Sequence, residues 1–263
     1  MFAPLARSDQ RNKGQTCLRG LLLDGRRKSM QPMAERLGVD HQGLQQFVSS
    51  STWAVEPIRE RLARRAVEVI APDAWVVDDT GFPKDGLASP GVARLYSGTL
   101  GKVANCQVGV SVCAVTDTAS CPLNWRLFLP ECWDDALAAT PEAAAAIAAR
   151  RARAGLPDSA RHHAKWRLAL EMLDELAGWG LRPAVVAADA GYGDNADFRN
   201  GLTARGRSWV VQVNNNLTAH PADAMPEVKP YSGRGRRRGR GTAHRRSACV
   251  RTCWPPAATR RSR

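Results

Sequence analysis

Three aspartates stand directly after short apolar runs of the kind that form buried strands. Asp78 and Asp79 follow residues 74–77, and Asp189 follows residues 184–188. Side chains at the carboxyl ends of strands in an open sheet converge on one edge, where ligands bind. Converging carboxylates repel one another unless a divalent cation neutralises them, and Mg²⁺ prefers such oxygen ligands, with Mn²⁺ able to substitute. Two such ions can activate a water or a 3′-hydroxyl in phosphodiester cleavage, so the pattern indicates metal-dependent chemistry on nucleic acid.

An alternative interpretation needs no metal, because each acid also fits a turn. Residues 76–81 and 187–191 combine aspartate with glycine in the manner of good turn sequences. In that case each carboxylate only caps the backbone where its strand ends. Spacing alone supports the two interpretations equally.

The pattern of apolar residues predicts an α/β fold that positions these acids. Short apolar or alternating runs indicate strands, and apolar residues repeated every three to four positions indicate helices. The order is three strands, a helical region, a strand, a helix and a strand, which is that of a ribonuclease-H-like fold with a mixed sheet. The predicted strands are residues 74–77, 107–116, 123–129, 184–188 and 208–213, and the predicted helices are 141–154, 162–178 and 194–204.

Residues 1–71 are predicted to form a helical domain before the sheet. Within it, Gly38 stops one short helix and Asp40 caps the next, which gives residues 34–50 the outline of a helix-turn-helix. This outline favours a DNA-binding role. A plain packing role fits the same pattern equally well, because many helical hairpins share it.

The positive charge of the chain is concentrated in its last segment. Of 263 residues, 38 are Lys or Arg and 25 are Asp or Glu, and residues 232–263 contain eleven Arg but no acid. Without a helical or alternating period, this tail is expected to be disordered. One interpretation is a basic arm that neutralises phosphates of nucleic acid. The other is the product of a frameshift in a GC-rich gene, because Arg, Gly, Ala and Pro dominate the segment.

Composition excludes several other classes of protein. No apolar run approaches the roughly 20 residues that a bilayer span requires, so no membrane partner is expected. The first residues lack the layout of a secretion signal, which makes the cytoplasm the expected location. Seven irregularly spaced cysteines argue against a disulfide framework.

The residues around the acids resemble conserved blocks of bacterial insertion-sequence transposases of the DDE superfamily. The blocks are WVVDDTGFPK at 75–84, RLYSGTLGK at 94–102 leading into NCQVGV at 105–110, and ADAGYGD at 188–194. The resemblance covers residues 18–231. It implies that Asp79, directly before the threonine, is the first metal-binding acid and that Asp189 is the second. Asp78 is the neighbour from which Asp79 must be distinguished, because adjacent strand residues point to opposite faces.

The resemblance also implies a reaction and its partners. In this family, metal-assisted hydrolysis at the transposon ends frees a 3′-hydroxyl that attacks target DNA, with no covalent protein–DNA intermediate. The cofactor implied is Mg²⁺ and the partner is DNA, with a homodimer as a further possibility. Lys84, Arg94 and Lys102 are candidates for phosphate contacts, although each also fits a solvated surface charge.

One part of the family pattern has no match in this chain. The third catalytic acid of these transposases is a glutamate on a helix after the second aspartate. The last acid here is Glu227, which stands between two prolines that are incompatible with a regular helix. We therefore expect a catalytic domain at 72–231 that is truncated or frameshifted near its end, with an incomplete sheet and impaired catalysis. The alternative is a non-catalytic DNA-binding remnant that occupies element ends or pairs with full-length transposase as an inhibitor.

Overall fold

A computed structural model describes residues 1–98 and 100–219, together with the pairs 226–227, 241–242 and 247–248. The predicted tail at 232–263 lies outside the described residues except for two of these pairs, which form two-residue strands. Four helices precede the first long strand. They are α1 (Ser8–Leu22), α2 (Met30–Leu37), α3 (His41–Ser49) and α4 (Glu56–Ile70).

The helical hairpin of α2 and α3 has the glycine stop and the aspartate cap that its sequence predicts. Gly38 ends α2 with a left-handed backbone at φ 65°, which costs glycine little. The carboxylate of Asp40 accepts hydrogen bonds from the backbone amides of Gln42 and Gly43, which caps α3. Phe47 of α3 is buried against Phe2, Leu5 and Ile58, so one face of this hairpin is committed to packing.

The central sheet has six strands and mixed direction. In chain order they are β1 (Ala74–Pro83), β2 (Ala93–Ser97), β3 (Lys102–Val115), β4 (Ser120–Phe128), β5 (Val186–Ala188) and β6 (Trp209–Val211). The spatial order is β2-β3-β1-β5-β6, with β4 also paired to β3. β1 pairs antiparallel with β3 and parallel with β5, and β5 pairs parallel with β6. The prediction of an α/β fold with a mixed sheet is confirmed.

Of the α-helices after β4, three differ from the prediction only near their ends, and one short helix was not predicted. α5 is Pro141–Arg153, α6 is Lys165–Gly178, α7 is Ala190–Gly193 and α8 is Ala196–Ala204. The prediction that a helix starts at residue 162 was wrong, because the backbone amide of His162 donates to Asp134 at 2.9 Å and α6 begins only at Lys165. The helix predicted from residue 194 begins at Ala196, because Asn195 caps it through the amide of Phe198.

One face of the sheet carries the core. Trp75 and Val77 of β1 point to this face and pack with Ala169 and Met172 of α6. α4 packs on the same face, where Ala63 is fully buried in this core. On the opposite face, side chains are more exposed, with Val210 at 57%. The sheet therefore has a helix-covered face and an open face among the described residues.

Candidate metal site at the sheet edge

The prediction that Asp78 and Asp79 end their strand was wrong, because β1 continues to Pro83. β1 pairs with the long strand β3 as far as Pro83, which lies opposite Cys106. This pairing provides backbone hydrogen bonds to a segment whose sequence resembles a turn. On its other edge, however, β1 pairs with β5 only as far as Val77 opposite Ala188. Asp78 and Asp79 thus lie just beyond β5, and Asp189 is the first residue after it. The three acids share one edge of the sheet although only Asp189 follows the end of its strand.

Asp79 faces the helix-covered side of the sheet, as Trp75 and Val77 do. The ammonium group of Lys165, the first residue of α6, donates to Asp79 Oδ2 at 2.8 Å. The hydroxyl group of Tyr192 donates to the same oxygen at 3.3 Å. Asp79 is therefore held by two groups that come from parts of the chain far from β1.

Asp189 caps the short helix α7 through the amide of Tyr192, which donates to Oδ1 at 3.3 Å. The turn is tight: a Cβ atom on Gly193 would lie 1.9 Å from the carbonyl oxygen of Gln212, so only glycine fits. Tyr192 donates to Asp189 through its backbone amide and to Asp79 through its hydroxyl group. This residue therefore links the two aspartates. Capping by Asp189 agrees with the turn interpretation, and it does not prevent a metal from binding the second carboxylate oxygen.

Asp78 faces the open side, where it shares a hollow with Asp189. The hollow has a volume of about 580 Å³ and lies at the carboxyl ends of β5 and β6, beside the middle of β1. Its lining residues are Val76, Val77, Asp78, Ala187, Ala188, Asp189, Val210, Val211 and Gln212. The structure thus brings Asp78 and Asp189 into one hollow that Asp79 does not line. That Asp79 and Asp189 hold a common ion stays a prediction.

The three carboxylates act on one another electrostatically. Asp78 is exposed, but partial desolvation by its neighbours raises its pKa, and the charges of Asp79 and Asp189 add to the rise, whereas the hydrogen bond from the Asp79 amide and the charge of Lys165 oppose it. Burial also raises the pKa of Tyr192, and all three aspartates contribute to that rise. The Tyr192 hydroxyl therefore stays protonated and remains a donor to Asp79.

The donor set at this edge suits a hard divalent cation. It consists of carboxylate oxygens, whose mutual repulsion a dication would relieve. Among the described residues, no group of three or more His, Cys, Asp or Glu side chains is arranged to hold a metal ion. Mg²⁺ is commonly held in another way, by one or two carboxylates with the remaining ligands supplied by water or by a substrate phosphate.

The three basic residues proposed for DNA contacts lie away from the acids. Lys84 follows β1 and exchanges hydrogen bonds with Asn105, which is also the partner of Arg94 across β2 and β3. Lys102 is at the other end of the same hairpin. Lys84 is five residues beyond Asp79, which corresponds to roughly 17 Å along an extended strand. The structure groups Lys84 and Arg94 with each other, not with the acids.

Sequence reasoning missed Lys165. Its contact with Asp79 joins residues 86 positions apart, so no local pattern reveals it. One signal was available, because lysine in the first turn of a helix lies at the positive end of the helix dipole, where a cation is disfavoured.

Comparison with known proteins identifies the family. A family model described as DDE superfamily endonuclease matches residues 1–262. The chain belongs to this family. It is 26% identical over 211 residues to a protein of Microchaete diplosiphon described as "Probable transposase for insertion sequence element IS701". The match covers 79% of this chain and 49% of that protein, so the chain spans about half the length of this relative.

Among solved structures, the chain is similar to one described as the Mos1 strand transfer complex. The match has a TM-score of 0.25 at 11% identity and covers 77% of this chain and 57% of the other. Within the described residues, no helix has the length and apolar character that crossing a bilayer would need.

Proposed function

We propose that this chain is a transposase-type DNA strand transferase whose metal site is formed by Asp79 and Asp189. The observation that carries the proposal is the convergence of Asp78, Asp79 and Asp189 on one sheet edge, with Lys165 against them. The family match supports the same chemistry. The proposed reaction is hydrolysis of a phosphodiester at a DNA end, followed by attack of the freed 3′-hydroxyl on a target strand.

In this proposal, the residues of the chain position the metal-binding carboxylates, and they are not required to transfer protons. The pairing of β1 with β5 ends at Val77 and Ala188, close to the two proposed ligands, and Tyr192 holds Asp79 through a hydroxyl that stays protonated. A Mg²⁺ ion held there would supply activation of the attacking oxygen and stabilisation of the leaving oxygen. Asp78 on the open face is the alternative partner of Asp189, and the experiment below separates the two.

We further propose that catalysis is impaired because a third acid is lacking. Glu227 belongs to a two-residue strand, Pro226–Glu227, and not to a helix. The predicted loss of the reading frame near residue 231 lies outside the described residues and stays a prediction. An ion held by two carboxylates is expected to bind weakly and to support only slow cleavage.

DNA is the proposed partner, and α3 offers a surface for it. Leu44 and Phe47 are buried against the helical domain, which leaves the opposite side of α3 to solvent. The exposed side chains there are Gln42, Gln45, Gln46 and Ser49. Glutamine can form a bidentate contact with adenine in the major groove, so this face is compatible with base recognition.

The test is Mn²⁺ binding and nicking of DNA that carries the element's ends. We expect Asp79→Asn and Asp189→Asn each to weaken Mn²⁺ binding at least about tenfold and to remove the residual nicking. Asp78→Asn is expected to retain both within about twofold, because the family resemblance assigns the metal to Asp79. Asp85→Asn is the matched control, since Asp85 is an exposed acid in the loop after β1. Loss of binding in Asp78→Asn with retention in Asp79→Asn would transfer the role to Asp78.

A non-catalytic remnant is the second candidate function. It is favoured by the lack of a three-acid site among the described residues. In this case the chain binds element ends in a salt-dependent manner without cleaving them, and pairs with full-length transposase to inhibit it. Binding without metal-dependent nicking, together with slower cleavage by added full-length enzyme, would support the remnant. Nicking that depends on Asp79 would exclude it.

A further inference from the structure

Lys165 occupies a position that helix formation alone does not favour. It is the first residue of α6, and no side chain caps this helix end. The helix dipole there is positive and repels a cation, at a cost of about 0.3–1 kcal/mol in an exposed helix. The ammonium group instead contacts Asp79 Oδ2 at 2.8 Å and lies 5.5 Å from the centre of the Phe128 ring. Its contact with Asp79 compensates for the unfavourable helix position.

The ion pair is built so that it can open. The side chain of Lys165 is 35% exposed and that of Asp79 is 27% exposed, so both reach solvent at the sheet edge. A lysine holds a carboxylate as a point charge without the two parallel hydrogen bonds that an arginine forms. An ammonium group that contacts a carboxylate in this way can be replaced by a cation of higher charge.

We propose that Lys165 is a displaceable counter-ion that holds Asp79 in the metal-free chain and competes with a divalent cation for it. This inference rests on the proposed function, because it assumes that Asp79 is a metal ligand. Lys165 then acts as a positioning residue: it keeps the carboxylate of Asp79 oriented against Tyr192 until the dication replaces the ammonium group. Metal affinity therefore includes the cost of breaking the Lys165–Asp79 pair.

The experiment measures Mn²⁺ binding to the full chain by the loss of the free-ion signal in electron paramagnetic resonance. Lys165→Met removes the charge with little change in length and is expected to bind Mn²⁺ roughly two- to fivefold more tightly, as release of a partly exposed ion pair allows. Arg167→Met is the matched control, because Arg167 lies on the same helical turn but pairs with Glu171. Its side chain is 61% exposed, and its affinity for Mn²⁺ is expected to stay within about 1.5-fold of the parent. Equal or weaker binding by Lys165→Met would overturn the inference.

A second measurement uses the unaltered chain, in case Lys165→Met does not fold. Selective ¹⁵N labelling of lysine side chains should show the Lys165 ammonium protons protected from exchange without metal and exchanging faster when Mg²⁺ is added. Lys165 protons that stay protected at saturating Mg²⁺ would contradict displacement.

The failure of this inference can be distinguished from failure of the proposed metal site. If the parent chain binds no Mn²⁺, or binds it equally well with Asp79→Asn, both are wrong. If binding depends on Asp79 but is the same in the parent and in Lys165→Met, only the role of Lys165 is wrong.

Discussion

Two clusters of charged side chains flank the same sheet, and they are compensated in opposite ways. Around Glu175 of α6, one carboxylate is paired with Arg59 at 2.7 Å and with Arg126, and it also accepts from Asn124 at 2.6 Å. At the edge of the sheet, Lys165 pairs with Asp79 and its charge also acts on Asp78, while Asp189 forms no ion pair among the described residues. The first cluster has more positive than negative charge, and the second has an excess of negative charge.

The difference separates a structural role from a functional one. The Glu175 cluster joins α4 and α6 to β4, and its groups satisfy one another, with Asn124 fully buried. Its contribution is to hold the helical region against the sheet. The aspartate cluster lacks such internal compensation, and a divalent cation would provide it. Uncompensated charge at a sheet edge is therefore the better indicator of a ligand site.

The largest effect is expected from removing the carboxylate of the compensated cluster. Glu175→Ala leaves Arg59 and Arg126 without their counter-ion, and the Arg59 side chain is only 13% exposed. We expect a loss of about 2–4 kcal/mol in the free energy of unfolding, measured by urea denaturation. Glu171→Ala, on the exposed side of the same helix, is the control and should cost less than about 1 kcal/mol. Similar losses for both variants would show that the Glu175 cluster is not a structural link.

The next effect concerns the turn that places Asp189. Gly193→Ala would push a Cβ atom against the Gln212 carbonyl oxygen, which is backbone and cannot rotate away. A loss of about 1–3 kcal/mol in unfolding free energy is expected, together with weaker Mn²⁺ binding as the turn shifts. Gly178→Ala serves as the control, because its Cβ atom would contact nothing within 4 Å. Unchanged stability of Gly193→Ala would mean that β6 does not restrain the turn.

Sequence reasoning recovered what local patterns determine. The glycine stop at Gly38 and the cap by Asp40 follow from residues near one another in the chain, and the mixed sheet follows from the order of strands and helices along it. The end of β1 could not be predicted, because Asp78 to Gly81 resembles a turn and only the length of β3 shows that pairing continues.

The long-range contacts of both clusters were beyond local patterns. The pair of Arg59 and Glu175 joins residues 116 positions apart, and that of Lys165 and Asp79 joins residues 86 apart. The residue types at the site could be predicted from the chemistry of carboxylates. Their partners could not, because the fold alone determines which helix end meets which strand.

The two clusters are also expected to respond to acid in opposite directions. Burial alone would raise the pKa of Glu175, but the hydrogen bonds from Asn124 and Arg126 and the nearby arginine charges lower it below its ordinary value of 4.5. This carboxylate therefore stabilises the fold fully above pH 4.5, and the contribution is lost as pH falls through the lowered pKa. Unfolding free energy measured from pH 6 to pH 3 should fall less steeply for Glu175→Gln than for the parent chain. Parallel curves would exclude Glu175 as the titrating group.

The smallest effect is expected at Asp78, where the pKa is raised and the sign reverses. An ionised carboxylate with a raised pKa costs stability above that pKa, and the cost disappears as pH falls below the ordinary value of 3.8. Asp78→Asn retains an oxygen that can accept the Asp79 amide, so at pH 7 it should stabilise the metal-free chain by about 0.5 kcal/mol. The gain should vanish near pH 3 and should shrink at neutral pH when Mg²⁺ relieves the same repulsion. If the gain in stability persisted with Mg²⁺, bound metal would not relieve the repulsion on Asp78. A loss of stability at pH 7 would instead mean that the charges at the aspartate edge compensate one another, as those of the Glu175 cluster do.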